Sequence, residues 1–397
     1  MAEQKPELEQ QSAGEVEVSV VMPCLNEEQS IGQCVRQARE ALKSAGLKGE
    51  VVMSDNGSTD RSVAIAQEQG ARVVHQSIRG YGAAYLQGIR SARGRYIVIG
   101  DSDGTYPFER IPDFVARLRE GFDLVMGSRL KGQILPGAMP WLHRSIGNPL
   151  LSGILRLLFG GSVSDAHCGM RAFTKEAFQR LRLHTTGMEF ASEMVINALK
   201  ARLRIAEIPI TYSPRHGQSK LHSLRDGWRH LRFMLLRSPT ALFVVPGALF
   251  IAAGLVVQLA LLGRQPTFAG VALGAHSATL GSFLAILGFQ VAFLGLCART
   301  VALSTGLEQE DRLLQAFYRG FTLERGVLAG ALLFLIGFVQ DALILRKWVA
   351  LRFGPLQEIH PAIFALTLMA LGAQLVFASF LLSVLRLPVP VQKNSGS

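Results

Sequence analysis

Tyr96-Ile-Val-Ile-Gly100 runs directly into Asp101-Ser102-Asp103, and this stretch decides the fold. The apolar run, closed by glycine, reads as a buried strand of a parallel sheet. Two carboxylates at i and i+2 just beyond its end can hold one hard divalent cation, Mg2+ or Mn2+. A diphosphate carries more negative charge than side chains alone usually neutralise, and such a cation is the common remedy. The stretch therefore points to chemistry on a nucleotide-activated donor.

Outward from it, β-branched runs alternate with segments of helical spacing. Val18–Met22, Val51–Ser54, Arg72–His75 and Leu124–Met126 read as further strands, and residues 28–44, 59–69, 81–92 and 108–119 as the helices between them. The alternation predicts an α/β domain with a mostly parallel sheet covered on both faces. Ligands of such sheets bind beyond the carboxyl ends of the strands. The polar motifs lie there: Pro23-Cys-Leu-Asn-Glu-Glu28, Asp55-Asn-Gly-Ser-Thr-Asp60 and Asp101-Ser-Asp103. The first can wall a ribose or base. Asp55 is placed to accept from a base N–H, Gly57 permits the turn, and Thr59 and Asp60 read as helix caps. Arg79-Gly-Tyr-Gly82 is a Gly-rich loop whose Arg could approach a phosphate, but it has neither P-loop nor dinucleotide-fingerprint spacing and reads equally well as a tight turn. Asp101-Ser-Asp103-Gly lacks the later Gly and Glu of a Ca2+ loop. His167 and Cys168 have no further ligands nearby, so zinc is not expected, while Asp165 and Arg171 read as an ion pair shaping a pocket.

Beyond about Ser238 the chain of 397 residues changes character. Four apolar segments, near 241–263, 274–297, 327–345 and 361–385, are long enough to span a bilayer core. Arg225, Arg229, Arg232 and Arg237 precede the first, Arg299, Arg312, Arg319 and Arg325 lie between the second and third, and Arg386 and Lys393 follow the fourth. The other loops carry Arg264, then Arg346, Lys347 and Arg352. This asymmetry puts the catalytic half and both termini in the cytosol. The polar stretch 1–17 lacks the apolar core of a signal peptide and reads as a disordered tail. The net charge of +11 is explained by anionic membrane lipids rather than nucleic acid, because the basic residues cluster beside the spans. Residues 144–159 and 225–237, apolar with interspersed arginines, suit helices lying at the headgroup level. Cys24, Cys34, Cys168 and Cys297 show no CxxC spacing and read as reduced cytosolic thiols.

The ordered set Pro23…Glu27, Asp55-Asn-Gly-Ser-Thr-Asp60, Asp101-Ser-Asp103, Gly127-Ser-Arg129 and Gly217-Gln-Ser-Lys220 resembles family 2 glycosyltransferases of the GT-A fold. Within these it is similar to polyprenyl-phosphate hexosyltransferases such as dolichyl-phosphate mannose or glucose synthases. The resemblance covers about residues 18–235 and implies inverting transfer from a nucleotide sugar, of UDP-glucose or GDP-mannose type, to a polyprenyl phosphate. It implies that Pro23, Glu27 and Asp55 contact the nucleotide and that Asp101 and Asp103 bind the diphosphate through Mg2+ or Mn2+. Arg129 and Arg144 would bind the acceptor phosphate, with Arg215 and Lys220 in a loop closing over both substrates. Asp103, Arg129, Arg144 and Lys220 are then the catalytic set. The chain departs from the family at Ser54-Asp55-Asn56, where two adjacent acids are common, and at Thr105, where mannose synthases often carry Gln. The latter leaves the third metal ligand and the sugar open. Glu189 and Glu193 are candidates for polarising the acceptor or binding sugar hydroxyls, although Glu193 reads as well as a helix-surface acid.

The expected architecture is a Rossmann-like GT-A domain at 18–224, an interfacial amphipathic helix at 225–238, four transmembrane helices within 239–388, and a cytosolic tail at 389–397. The expected partners are the nucleotide sugar, the polyprenyl phosphate and membrane lipids, with a homo-oligomer left open. Two other functions compete. A processive polysaccharide synthase would carry Gln-x-x-Arg-Trp on an interfacial helix, and no such spacing occurs here. A non-catalytic membrane module would not need Asp55, Asp101, Asp103, Arg129 and Lys220 all present.

Overall fold

A computed structural model describes residues 16–215, 217, 223–263, 267–268, 271–304, 317–355 and 358–386. Both expected tails lie essentially outside these residues. Two compact units part between Met234 and Leu235.

The first unit opens with β1 (Val18–Cys24), α1 (Ile31–Ser44), β2 (Gly49–Asp55), α2 (Ser62–Glu68), β3 (Arg72–His75), α3 (Tyr81–Ser91) and β4 (Tyr96–Ile99). It continues with α4 (Ile111–Arg119), β5 (Leu124–Ile134), α5 (Asn148–Phe159), β6 (Arg171–Thr174), α6 (Lys175–Leu181), α7 (Phe190–Lys200), β7 (Ile205–Tyr212) and α8 (Ser223–Leu236). The sheet order is β3-β2-β1-β4-β6-β5-β7. All neighbouring pairs are parallel except those of β6, which runs antiparallel to β4 and β5.

Alternation along the strands sends successive side chains to opposite faces. Val18, Val20 and Met22 pack with α1 and α4, whereas Val21, Val52, Ile97 and Ile99 pack with α3 and α7. Both faces are thus apolar, which is why β4 is buried along its whole length. Polar atoms are left to the strand ends. The antiparallel β6 matters for the site, because its first residue, Arg171, pairs with Ile99 at the end of β4. The loop entering β6 is thereby delivered to the carboxyl end of β4, beside Asp101. Strand β5 runs eight residues past the expected Met126, since β7 pairs alongside it as far as Ile134.

The first unit extends beyond residue 224. Helix α8, expected to lie apart at the headgroup level, buries His230 and Met234 in this unit, while Trp228 stays 61% exposed.

The second unit contains α9 (Val245–Gly263), α10 (Ala275–Ser304), α11 (Leu323–Ala350) and α12 (Ile359–Leu385). The stretches Thr240–Leu262, Ala275–Leu303, Leu323–Ala350 and Ile359–Leu385 are long and apolar enough to cross a membrane. Hydrocarbon gives helices no hydrophobic reason to associate, so small residues and buried hydrogen bonds hold such bundles together. A Cβ on Gly288 would lie 2.6 Å from Gly247 O, and one on Gly254 2.3 Å from Gly281 O, so α9 and α10 touch backbone to backbone. Gly330 and Gly372 bring α11 and α12 equally close. Gln258 donates to Thr367 Oγ1 (2.9 Å), which shares a hydrogen bond with Ser282 Oγ (2.8 Å), linking α9, α12 and α10.

Candidate active site

The carboxyl ends of the first unit's strands surround a cavity of about 490 Å³. Its floor is the end of β4. Ser102 Oγ donates to Pro23 O (2.6 Å) and Ser30 Oγ to Ser102 O (2.7 Å), which locks the two central strand ends together. Asp101 Oδ1 accepts hydrogen bonds from Tyr81 (2.9 Å) and Tyr85 (2.8 Å), both on α3. Gly169 leaves room for the other oxygen, since a Cβ there would sit 2.9 Å from Asp101 Oδ2. Burial, then the neighbouring Asp103 charge, pushes the Asp101 carboxyl up to about 6, with the tyrosine hydroxyls opposing. Asp103 Oδ1 is held by the backbone N–H (3.1 Å) and hydroxyl (2.6 Å) of Thr105. Its Oδ2 lies 3.4 Å from Arg215 Nη1, and Arg215 also pairs with Glu27.

The far wall comes from β5, the loop before β6, and α8. Arg129, 7% exposed, donates to the fully buried Asp165 through its backbone N (3.0 Å), Nε (2.7 Å) and Nη2 (2.8 Å). Burial alone would lower the guanidinium pKa, and Asp165 more than reverses this, raising it well above the usual value. The guanidinium lies 5.3 Å from the Tyr212 ring. Arg171 is not the partner of Asp165. Fully inside the core, it donates to the carbonyls of Cys168 (2.8 Å), Ala191 (2.8 Å) and Ala166 (2.9 Å). The expected Asp165–Arg171 pair fails because β5 brings Arg129 across to the acid, and Arg171 instead fastens the loop to α7. Helix α8 adds Arg225, Asp226, Arg229 and His230 to the lining.

Of the residues singled out in the sequence, Pro23, Glu27, Asp101, Asp103, Arg129 and Arg215 line this one cavity. Asp55 sits behind the wall. Its oxygens accept from Gly57 N (3.2 Å) and Ser58 N (3.0 Å), and His75 Nδ1 is 3.3 Å away. Its neighbour Asn56 lines the cavity instead and accepts from Gly80 N (2.7 Å). The Arg79-Gly-Tyr-Gly82 turn is also in the lining. Gly80 has φ +147°, and a Cβ there would meet Thr186 O at 2.2 Å. Arg144 is not brought to the cavity. It is exposed on the turn His143–Gly147 before α5. Lys220 lies outside the described residues. Glu193 is neither a surface acid nor a cavity residue: 2% exposed, it accepts from His184 N, Thr185 N and Thr185 Oγ1 and anchors the loop before α7. The N-cap position of α2 is Arg61, which makes no side-chain cap; Asp60, one residue earlier, accepts from Ser62 N (2.9 Å), and Thr59 N donates to Asn26 Oδ1 (2.7 Å).

Sequence reasoning missed Tyr81 and Tyr85, although a tyrosine pair at i, i+4 shares one helix face. It also missed Arg225 and Arg229 as cavity residues, because the amphipathic pattern of α8 was read as facing lipid.

Asp101 and Asp103 are hard oxygen donors, and among the described residues no cluster of three or more metal-binding side chains exists. Two carboxylates fit Mg2+ or Mn2+, which commonly complete their coordination from substrate phosphates and water.

A family model described as Glycosyl transferase family 2 matches residues 19–182, and one described as Glycosyltransferase family 2 C-terminal transmembrane region matches residues 296–386. The chain is 42% identical over 369 residues to the low-salt glycan biosynthesis hexosyltransferase Agl6 of Haloferax volcanii, covering 93% of this chain and 89% of that one. It is 35% identical over 214 residues to a dolichyl-phosphate hexose transferase of the same organism, covering 53% of this chain and 89% of the relative. Among solved structures, glucosyl-3-phosphoglycerate synthase of Mycobacterium tuberculosis with Mn2+, UDP and glucosyl-3-phosphoglycerate is similar at 25% identity, covering 57% of this chain and 81% of that one. Its TM-score of 0.45 is too low to argue from. A relative this similar across nearly the whole of both chains, with family matches in both halves, leads to one conclusion: the chain belongs to glycosyl transferase family 2.

Proposed function

We propose that this membrane glycosyltransferase moves a hexose from a nucleotide sugar to a polyprenyl phosphate, with inversion, at the cytosolic face. One observation carries the reading. A single cavity has the carboxylates of Asp101 and Asp103 on its floor and Arg129, Arg215, Arg225 and Arg229 around it, in a chain with four membrane-length apolar helices. The relative named dolichyl-phosphate hexose transferase supports a lipid-phosphate acceptor. The distribution of Arg and Lys around the spans supports the cytosolic side.

The chemistry needs no strong general base, because a phosphate monoester is already anionic and nucleophilic at neutral pH. Its oxygen attacks the anomeric carbon while the bond from that carbon to the diphosphate oxygen breaks, and the nucleoside diphosphate leaves with the electron pair. The protein must hold two anions together in line. Guanidinium groups suit this, because they stay charged and grip phosphate through two N–H bonds. Asp165 fixes Nε and Nη2 of Arg129, so Arg129 offers the cavity its Nη1 edge. Arg225 and Arg229 take the acceptor-phosphate role first expected of Arg144. Pro23 and Glu27 flank the nucleotide, Asp55 stiffens the loop carrying Asn56, and Arg215 bridges Glu27 and Asp103. Tyr81, Tyr85 and Thr105 aim the two carboxylates. Held by Asp101 and Asp103, Mg2+ or Mn2+ would neutralise the leaving diphosphate.

The test is to incubate the purified full-length chain with a panel of nucleotide sugars, undecaprenyl phosphate and Mg2+, and to identify the lipid product by mass spectrometry and its anomer by NMR. A single-hexose lipid phosphate of inverted anomeric configuration is expected. A growing polymer, or sugar release indifferent to lipid phosphate, would refute the reading.

A further inference from the structure

One wall of the cavity carries two histidines, joined by a buried serine behind them, that neither the carboxylates nor the arginines use. His167, from the loop entering β6, has Nε2 3.1 Å from Ser192 Oγ. Ser192, buried near the start of α7, lies 2.9 Å from Nδ1 of His230 on α8, which is 8% exposed. The two rings meet edge to face, 4.5 Å apart, and both histidines line the cavity. Three elements far apart in sequence thus converge on one hydrogen-bonded chain.

The direction of this chain follows from its buried end. His167 Nδ1 is sealed from solvent and has no hydrogen-bond partner among the described residues. A buried bare acceptor is tolerated more readily than an orphaned N–H. The proton of His167 is therefore assigned to Nε2, which donates to Ser192 Oγ, and the serine hydroxyl donates to His230 Nδ1. This puts the proton of His230 on Nε2. That nitrogen makes no hydrogen bond among the described residues, and it is not sealed off as His167 Nδ1 is. With Nδ1 engaged, this open nitrogen is the polar edge that His230 has left to offer the cavity it lines.

Both rings are uncharged at neutral pH. Burial, then His230, Arg129 and Arg171, lowers the His167 pKa far below its ordinary value. Burial brings His230 down to about 4, with Glu189 and Asp226 opposing and Arg229 and Arg171 adding to the fall. The cavity's anionic ligands are already served by guanidinium groups, which bind phosphate far better than a neutral ring. A single neutral N–H held in place by two further side chains suits an uncharged oxygen. Among the substrates proposed above, that means a hydroxyl of the sugar.

We propose that His230 Nε2–H, oriented through Ser192 and His167, donates a hydrogen bond to one hydroxyl of the transferred hexose and helps to select that sugar. The inference rests on the nucleotide-sugar reading. His230 is the contact residue, and Ser192 and His167 are positioning residues. A site built to hydrogen-bond a hydroxyl discriminates against the analogue that lacks it.

The experiment uses the full-length chain and the nucleotide sugar it turns over, together with the 2-, 3-, 4- and 6-deoxy forms of that donor. Wild type should lose about tenfold or more in kcat/KM for one of the four, the scale of one hydrogen bond. His230→Asn keeps an amide near the Nδ1 position and removes the cavity-facing nitrogen. It should lose a similar factor on the natural donor and no longer distinguish that deoxy analogue. His230→Gln, whose amide reaches the Nε2 position, should retain the preference. Ser192→Ala should weaken the preference while the Kd of the nucleoside diphosphate, measured by calorimetry, stays at the wild-type value. If His230→Asn does not fold, as judged by melting, Ser192→Ala carries the test. A uniform loss across all donors, or weaker binding of the nucleoside diphosphate itself, would overturn the proposal while leaving the functional reading intact. A wild type that turns over no nucleotide sugar would overturn both.

Discussion

Removing Asp165 should cost this protein more stability than removing Arg129 and Asp165 together. The acid is fully buried and receives three hydrogen bonds from Arg129, at 2.7, 2.8 and 3.0 Å. Asp165→Ala would leave a guanidinium, itself only 7% exposed, without its counter-charge. Breaking a buried pair from one side costs about 3–5 kcal/mol, whereas replacing both partners with apolar residues of similar size is often close to neutral. For a unit of this size each kcal/mol moves the midpoint by about 2–4 °C. Asp165→Ala should therefore lower the melting temperature of the first unit by about 6–20 °C, and Arg129→Met with Asp165→Leu should recover most of that. The assay is thermal melting of the full-length chain in detergent, by near-ultraviolet circular dichroism, for both single variants and the pair. A loss under about 1 kcal/mol for Asp165→Ala, or a double variant no more stable than the single, would refute the claim that Arg129 is held chiefly by this acid.

Four further outcomes follow from the geometry. Asp103→Asn should lower kcat by about 10² or more in saturating Mg2+, the scale of losing a few kcal/mol of charge stabilisation, and kinetics in Mg2+ and in chelator check this. Arg225→Ala and Arg229→Ala should each raise the KM for lipid phosphate by about tenfold while nucleotide affinity by calorimetry holds, and the exposed Arg144→Ala should move neither. Gly288→Val should force α10 from α9, because the new Cβ would meet Gly247 O at 2.6 Å. A loss of about 1–3 kcal/mol in detergent unfolding is expected. Glu50 tests pH dependence. Burial pushes its pKa up, but hydrogen bonds from Arg93 N–H, Ser19 and Arg72 pull it net below 4.5. A depressed folded pKa means stability present above the unfolded value and lost as pH falls through the folded one. Glu50→Gln should therefore be less stable than wild type at pH 7, and the difference should shrink as pH falls below 4.5, as melting across that range would reveal.

What the sequence determined by itself is local in origin. The apolar and β-branched strand runs, the acidic Asp101-Ser102-Asp103 past β4 and the four membrane-length apolar segments each depend on a few neighbouring residues, so they were legible without a fold. The small-residue seams went unread, although Gly247 and Gly254, and Gly281 and Gly288, recur at seven-residue spacing and the structure brings them backbone to backbone. Tertiary structure alone decided which charges meet. Arg129 and Asp165 are 36 positions apart, and they pair because β6 enters the sheet antiparallel between β4 and β5. The same insertion delivers His167 to the cavity, where α7 and α8 complete its chain through Ser192 and His230. Periodicity marked α8 as amphipathic, but an apolar stripe does not say whether it meets lipid or a protein core. Packing buried His230 and Met234 in the first unit and left Trp228 exposed, and Arg225 and Arg229 line the cavity while Arg144 stays on an exposed turn.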